Sequence, residues 1–168
     1  VEIVAQSLGE EVVYIWWAQR RGYIREALKG GLCDVIPAVA SSTEMLATTR
    51  PYYRSSYVFL SRTDRDLAIS SFEDPQLRVL RIGVQMIGDD AANAPPAHAL
   101  SRRGIIDNVR GYMVFGDYGS TDPGEPIVTA VARGDIDVAV VWGPLAGYYA
   151  RRQQVPLKLR PVSPSSDG

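Results

Sequence analysis

With one histidine and one cysteine in 168 residues, the chain has few ways to make or break a covalent bond. His98 has no Asp, Glu or Cys partners at metal-ligand spacing, so it reads as a helix residue without a chemical role. A serine or cysteine nucleophile would need His98 as its base, and no G-x-S-x-G presents one. Cys33 alone can form neither a disulfide nor a thiolate metal cluster, and its place at the head of an apolar run marks it as core. No catalytic residue and no metal ligand is therefore assigned. Neither G-x-G-x-x-G nor a P-loop occurs, so no nucleotide cradle is available. The acidic "GDYGSTDPGE" lacks the order of an EF-hand; Ser120, Thr121 or Asp122 before Pro123 reads as a cap and helix entry. Arg133-Gly134-Asp135 matches an adhesion tripeptide, but a helix-ending turn accounts for it.

What remains is the chemistry of recognition. Trp142 closes the apolar run Val138–Val141, just before Gly143-Pro144 ends it. Trp16 and Trp17 adjoin in a strand-like run, where one side chain points to each face. At least one of them is then core, and the other is free to face a cleft. Arg50 and Arg54 flank Pro51-Tyr52-Tyr53. Arginine and tyrosine together can hold a ligand, and an ordinary turn with a stacked arginine is the alternative.

The elements that carry these residues follow from periodicity. "VEIVAQSLG" has helical spacing and a closing glycine, "EEVVYIWWAQ" has strand composition, "GYIREALKGG" is a short amphipathic helix, and "CDVIPAVA" is a strand. After a turn region comes a strand over Tyr57–Leu60. The polar "TDRDLAISSFEDPQL" contains a turn at Asp74-Pro75 and reads as the exit from a first lobe. A second series follows: strand "RVLRIGVQMI", loop and helix "DDAANAPPAHALSRRG", strand "VRGYMVFG", helix "GEPIVTAVARG" and strand "IDVAVVW". "GPLAGYYARRQ" leads the chain back to a last strand in "PLKLRPVSP". Strands alternating with helices predict an α/β architecture with parallel pairing. One unit occurs twice: a helix closed by Gly31 or Gly134, then Asp34 or Asp137 opening an apolar strand.

Charge narrows the partners. Eighteen basic and nineteen acidic side chains leave a formal net charge of −1, which argues against nucleic acid. The pairs Arg20-Arg21, Arg102-Arg103 and Arg151-Arg152 are scattered and read as solvated faces. No apolar run approaches the roughly 20 residues needed to span a bilayer, so membrane insertion is not expected.

The strings "CDVIPAVASSTEMLATTRPYYRSSYVFLSR", "RIGVQ" and "ARGDIDVAVVWGPLAGYYA", in this order, resemble the type II periplasmic solute-binding proteins. "TTRPYYRSSYVF" and "VFGDYGSTDPGEPIVTAVARGDIDVAVVWGPLAGYYA" are similar to a narrower branch, the solute-binding-like J proteins encoded with quinoprotein methanol dehydrogenases. The resemblance implies a two-lobed type II fold in which each lobe is a mixed sheet flanked by helices. It also implies that the chain lacks the family's first strand and last helices. The lobes are expected as 1–66 (first part of lobe one), 67–77 (crossover), 78–141 (lobe two) and 142–168 (return crossover and second part of lobe one).

Amino-acid binders of that family grip the ligand carboxylate with an arginine nine residues before the "PY" proline; here that position is Ser42. They pair the ligand ammonium with an aspartate at the end of the returning strand; here it is Trp142. The Gly-Thr turn of their second lobe is replaced by "IGDDAANAPP". All three ionic anchors are missing, and a zwitterion buried without them loses several kcal/mol. The resemblance therefore implies a periplasmic, non-enzymatic protein, accessory to methanol oxidation and contacting a PQQ-dependent methanol dehydrogenase whose quinone and metal belong to the partner. No cofactor is assigned to this chain. The alternatives are a receptor for an ABC uptake transporter taking a small apolar or neutral ligand, and a dehydratase-like enzyme on the same fold. Trp142, Arg50, Tyr52, Tyr53, Trp16, Trp17 and Ser42 are the candidate cleft residues.

Overall fold

Branched apolar residues follow one another without interruption from Val138 to Val141, and such a run suits a strand covered on both faces. The computed structural model describes residues 1–17, 22–39, 43, 45–86, 94–113 and 122–164. In it the chain divides into two units, Val1–Arg54 and Ser55–Gly168.

The second unit holds a five-stranded sheet. Its strands are β1 (Tyr57–Arg62), β2 (Ile82–Met86), β3 (Val109–Met113), β4 (Val138–Trp142) and β5 (Leu157–Pro161), in the order β3-β2-β4-β1-β5. β2 pairs in parallel with β3 and β4, while β1 runs antiparallel to both β4 and β5. On one face Phe59, Ile82, Val84, Val138 and Val140 pack under Leu100 and its neighbours. On the other, Val58, Leu60, Ala139 and Val141 meet Ile127, Val128 and Val131. Each side chain of this kind that leaves water stabilises the unit by about 1.5–3 kcal/mol.

Helix signals act where composition places them. In unit 1, α1 is Glu2–Leu8. In unit 2, α2 (Pro95–Arg102), α3 (Glu125–Arg133) and α4 (Gly143–Ala150) each carry a proline in the first turn, where a missing N–H costs nothing. Gly134 closes α3 at φ 80°, in the left-handed region that glycine enters without strain. His98 lies exposed on α2.

β1 and β5, which lie in segments expected as parts of lobe one, are hydrogen-bonded into the sheet of β2, β3 and β4. Unit 2 runs from Ser55 to Gly168. Within the stretch 67–77, Ile69, Phe72 and Leu77 are buried in the core of unit 2. Polar neighbours at irregular spacing hide these three anchors, and Asp74 caps the short 3-10 turn Pro75–Arg78 by accepting from the Gln76 N–H at 2.9 Å.

Unit 1 departs further from its reading. Among its described residues there is no strand, and Ile24 and Ala27 are its buried hydrophobics. Glu10–Trp17 and Cys33–Val39 have strand composition but no hydrogen-bonded neighbour strand, so their side chains stay largely in solvent. Trp16 is 88% exposed and Trp17 52%, so neither is core. Cys33 is half-buried rather than core. The helix over "GYIREALKGG" forms as a π-helical turn, Arg25–Lys29, in which the Gly30 N–H reaches the Arg25 carbonyl at 2.8 Å.

Candidate functional site

In open α/β sheets ligands collect where parallel strands end. β3, β2 and β4 end at Met113, Met86 and Trp142. The antiparallel β1 begins at this same edge, with Tyr57 directly opposite Trp142. Beyond β5, the Val162 N–H donates to the Tyr57 carbonyl at 3.0 Å. Alternation along each strand sets all five side chains on the face that carries Phe59, Val84 and Val140. The Trp142 and Tyr57 rings meet edge to face, with centroids 5.4 Å apart and planes at 69°. Both are half-buried, and burial pushes the Tyr57 hydroxyl pKa up, so it remains a neutral O–H donor.

The opposite edge of the sheet is ionic. Asp137, just before β4, accepts from the Arg81 backbone N–H at 2.9 Å and from its Nε at 3.1 Å. Its second oxygen takes Arg81 Nη2 at 2.9 Å and pairs with Arg65 Nη2 at 3.1 Å. Hydrogen bonds from Arg81 hold the carboxyl below the usual carboxylate range, against a smaller opposing effect of burial. This clamp ties the starts of β2 and β4 together. It is structural; at the carboxyl edge the described strand-end residues are apolar or aromatic.

Of the residues singled out from sequence, only Trp142 lies in unit 2. Arg50, Tyr52 and Tyr53 are exposed on unit 1; the Tyr52 hydroxyl accepts from the Ala38 N–H at 3.2 Å. Trp16 stacks on Tyr14 with ring centroids 6.0 Å apart. Ser42 lies outside the described residues, as does "IGDDAAN" of the replaced turn. Among the described residues no group of three or more His, Cys, Asp or Glu could hold a metal ion, and no helix is long and apolar enough to cross a membrane. Sequence reading passed over Tyr57, Met86 and Met113 as ordinary strand residues. Each is the large apolar residue at the carboxyl-edge end of its strand, and that signal could have found them.

No protein-family model matches the chain. It is 30% identical to Protein MoxJ of Methylorubrum extorquens over 177 residues, spanning 98% of this chain and 57% of MoxJ. In structure it matches the periplasmic binding protein XoxJ of Methylobacterium extorquens with a TM-score of 0.71 and 30% identity, covering 96% of this chain and 65% of XoxJ. This chain has the type II periplasmic binding-protein fold. MxaJ of Methlophaga aminisulfidivorans shares that fold with a TM-score of 0.73 at 23% identity, over 99% of this chain and 70% of MxaJ. The chain spans little more than half the length of MoxJ.

Proposed function

We propose that this chain acts as a non-enzymatic, two-lobed periplasmic binding protein accessory to methanol oxidation, contacting or activating a PQQ-dependent methanol dehydrogenase. Its similarity to MoxJ and XoxJ supports the binding-protein part of this reading. The resemblance to the branch encoded with quinoprotein methanol dehydrogenases supports the partner. The observation that carries it is the half-buried Trp142 at the strand edge, which the sequence resemblance aligns with the aspartate that pairs with the ligand in amino-acid binders. A zwitterion held there would lack its counter-charge, whereas an aromatic at a strand edge can anchor a partner. The exposed Arg50, Tyr52, Tyr53, Trp16 and Trp17 of unit 1 are further contact candidates, since Trp, Tyr and Arg supply most hot spots.

The deciding experiment measures binding to purified PQQ-dependent methanol dehydrogenase. Trp142→Ala is expected to weaken association by ~2 kcal/mol, roughly thirtyfold, with the fold intact. Loss of the fold would make the indole a core plug, and unchanged affinity would move the contact to another surface. A second reading, a transport receptor for a neutral or apolar solute, is favoured by the apolar strand-end residues described at the carboxyl edge of the sheet. Calorimetry against the standard amino acids tests the premise of both, because a sub-micromolar dissociation constant for any of them contradicts the missing anchors.

A further inference from the structure

The outer side of β5 is an open strand edge: β1 pairs with its inner side, and among the described residues no strand pairs with the other. The Val162 N–H donates to the Tyr57 carbonyl and the Thr63 N–H to the Pro156 carbonyl, both at 3.0 Å, which fixes the alternation. Lys158 and Arg160 turn their backbone groups toward β1, and Leu157, Leu159 and Pro161 turn theirs outward. The outward side therefore offers the N–H groups of Leu157 and Leu159 and ends at Pro161, which has none. Arg160 and Lys158 stand opposite Phe59 and Ser61, so both side chains lie on the face of Phe59. The Arg160 Nε is out of water and has no hydrogen-bond partner, a rare state for a buried donor. Lys158 pairs with Asp66 at 3.7 Å, and the Asp66 side chain is 95% exposed, so that pair holds the ammonium loosely.

We propose that this edge takes up an extended acidic segment of a partner protein as an added strand. Strand addition draws affinity from main-chain hydrogen bonds and selectivity from alternate side chains. Here the alternation prescribes acids at every second position, beside Lys158 and Arg160, with an apolar residue between them beside Leu159. A carboxylate is the planar acceptor that a guanidinium fork matches, and it supplies Arg160 with the partner it lacks. A second copy of the chain is a poorer occupant. A two-fold pairing about Leu159 would set Lys158 of each copy opposite Arg160 of the other, and like charges directly opposite destabilise a sheet. Lysine and proline on an edge ordinarily deter chance pairing, but deterrence alone would keep the charges in water. The dry Arg160 Nε separates a selective edge from a merely guarded one.

The 168-residue chain, isotope-labelled at nitrogen, is titrated with acetyl-Thr-Glu-Val-Glu-Thr-amide and with the counterpart carrying lysine in place of both glutamates, and followed by NMR. The acidic peptide is expected to move the Leu157 and Leu159 amide signals and the Arg160 Nε–H signal saturably, at roughly millimolar concentration or below. The lysine peptide should move none of them. Arg160→Gln should weaken binding of the acidic peptide about three- to tenfold, and added salt should weaken its binding to the native chain. The inference is overturned if the Leu157 and Leu159 amides stay still, if both peptides bind alike, or if folded Arg160→Gln binds as the native chain does. Movement of the Arg160 signal alone would mean a carboxylate contact without an added strand, and would overturn it too. If Arg160→Gln fails to fold, Lys158→Gln decides by the same criterion, since that side chain is already 31% exposed and loosely paired. Dependence of the Leu157 and Leu159 signals on protein concentration, with no peptide present, would make a second copy the occupant and overturn the acidic one.

Discussion

In unit 2, Gly134 closes α3 in the left-handed region, Asp137 follows, and β4 then runs buried between β1 and β2. In unit 1, Gly31 takes φ 74° after a helical turn and Asp34 follows at the same interval, but Val35 beyond it is 69% exposed. The local phrase is the same, and the local backbone begins in the same way. What differs is the company. β4 has a neighbour strand on each side and helices over both faces, whereas Val35–Val39 has no paired strand among the described residues. A glycine cap and an apolar run set up a strand, and neighbours with unpaired N–H and C=O groups complete it.

The largest expected effect of this contrast is in amide exchange. The N–H groups of β4 and β1 should exchange about a thousandfold or more slower than an unfolded chain, and those of α1 close to the unfolded rate. Equal protection in both units would erase the contrast. Next, Leu60→Ala, at a side chain with no exposure, should lower the stability of unit 2 by about 2–5 kcal/mol in chemical denaturation.

The Asp137 clamp sharpens the comparison through pH. Because the folded carboxyl sits below its unfolded pKa, its stabilisation is present in full above the unfolded value and is lost as pH falls through the folded one. Asp137→Asn should therefore cost about 1.5–3 kcal/mol at neutral pH. The gap from the native protein should close in acid, as followed by denaturant titration at a series of pH values. A gap that is constant with pH would mean that packing rather than charge holds this corner. The smallest effect belongs to unit 1: Trp16→Ala, at 88% exposure, should leave stability within about 0.5 kcal/mol. A larger loss would place Trp16 in a core that the exposed side chain does not have here.

Legibility followed the range of the forces involved. β2, β4 and α3 were readable because a buried parallel strand and an amphipathic helix write themselves into consecutive residues. Trp142 was readable as a strand end for the same reason. Tyr57 was not, because its importance comes from pairing with Trp142, 85 positions further along the chain, and only the antiparallel register brings the two rings together. The burial of Ile69, Phe72 and Leu77 was not legible because the three follow neither the helix nor the strand period. Trp16 and Trp17 misled because strand composition was taken to guarantee a sheet. The chemistry that the sequence excludes, a triad or a nucleotide cradle, depends on residue types alone and needs no fold.

Gly111 carries a consequence for the end of β2. A single added carbon at this position would stand 2.8 Å from the Met86 Cγ and push that side chain away from β3. The path of the longest side chain at this strand end is thereby set by a residue that has no side chain of its own. One exchange, glycine to alanine, would redirect it with the Trp142 and Tyr57 rings still in place.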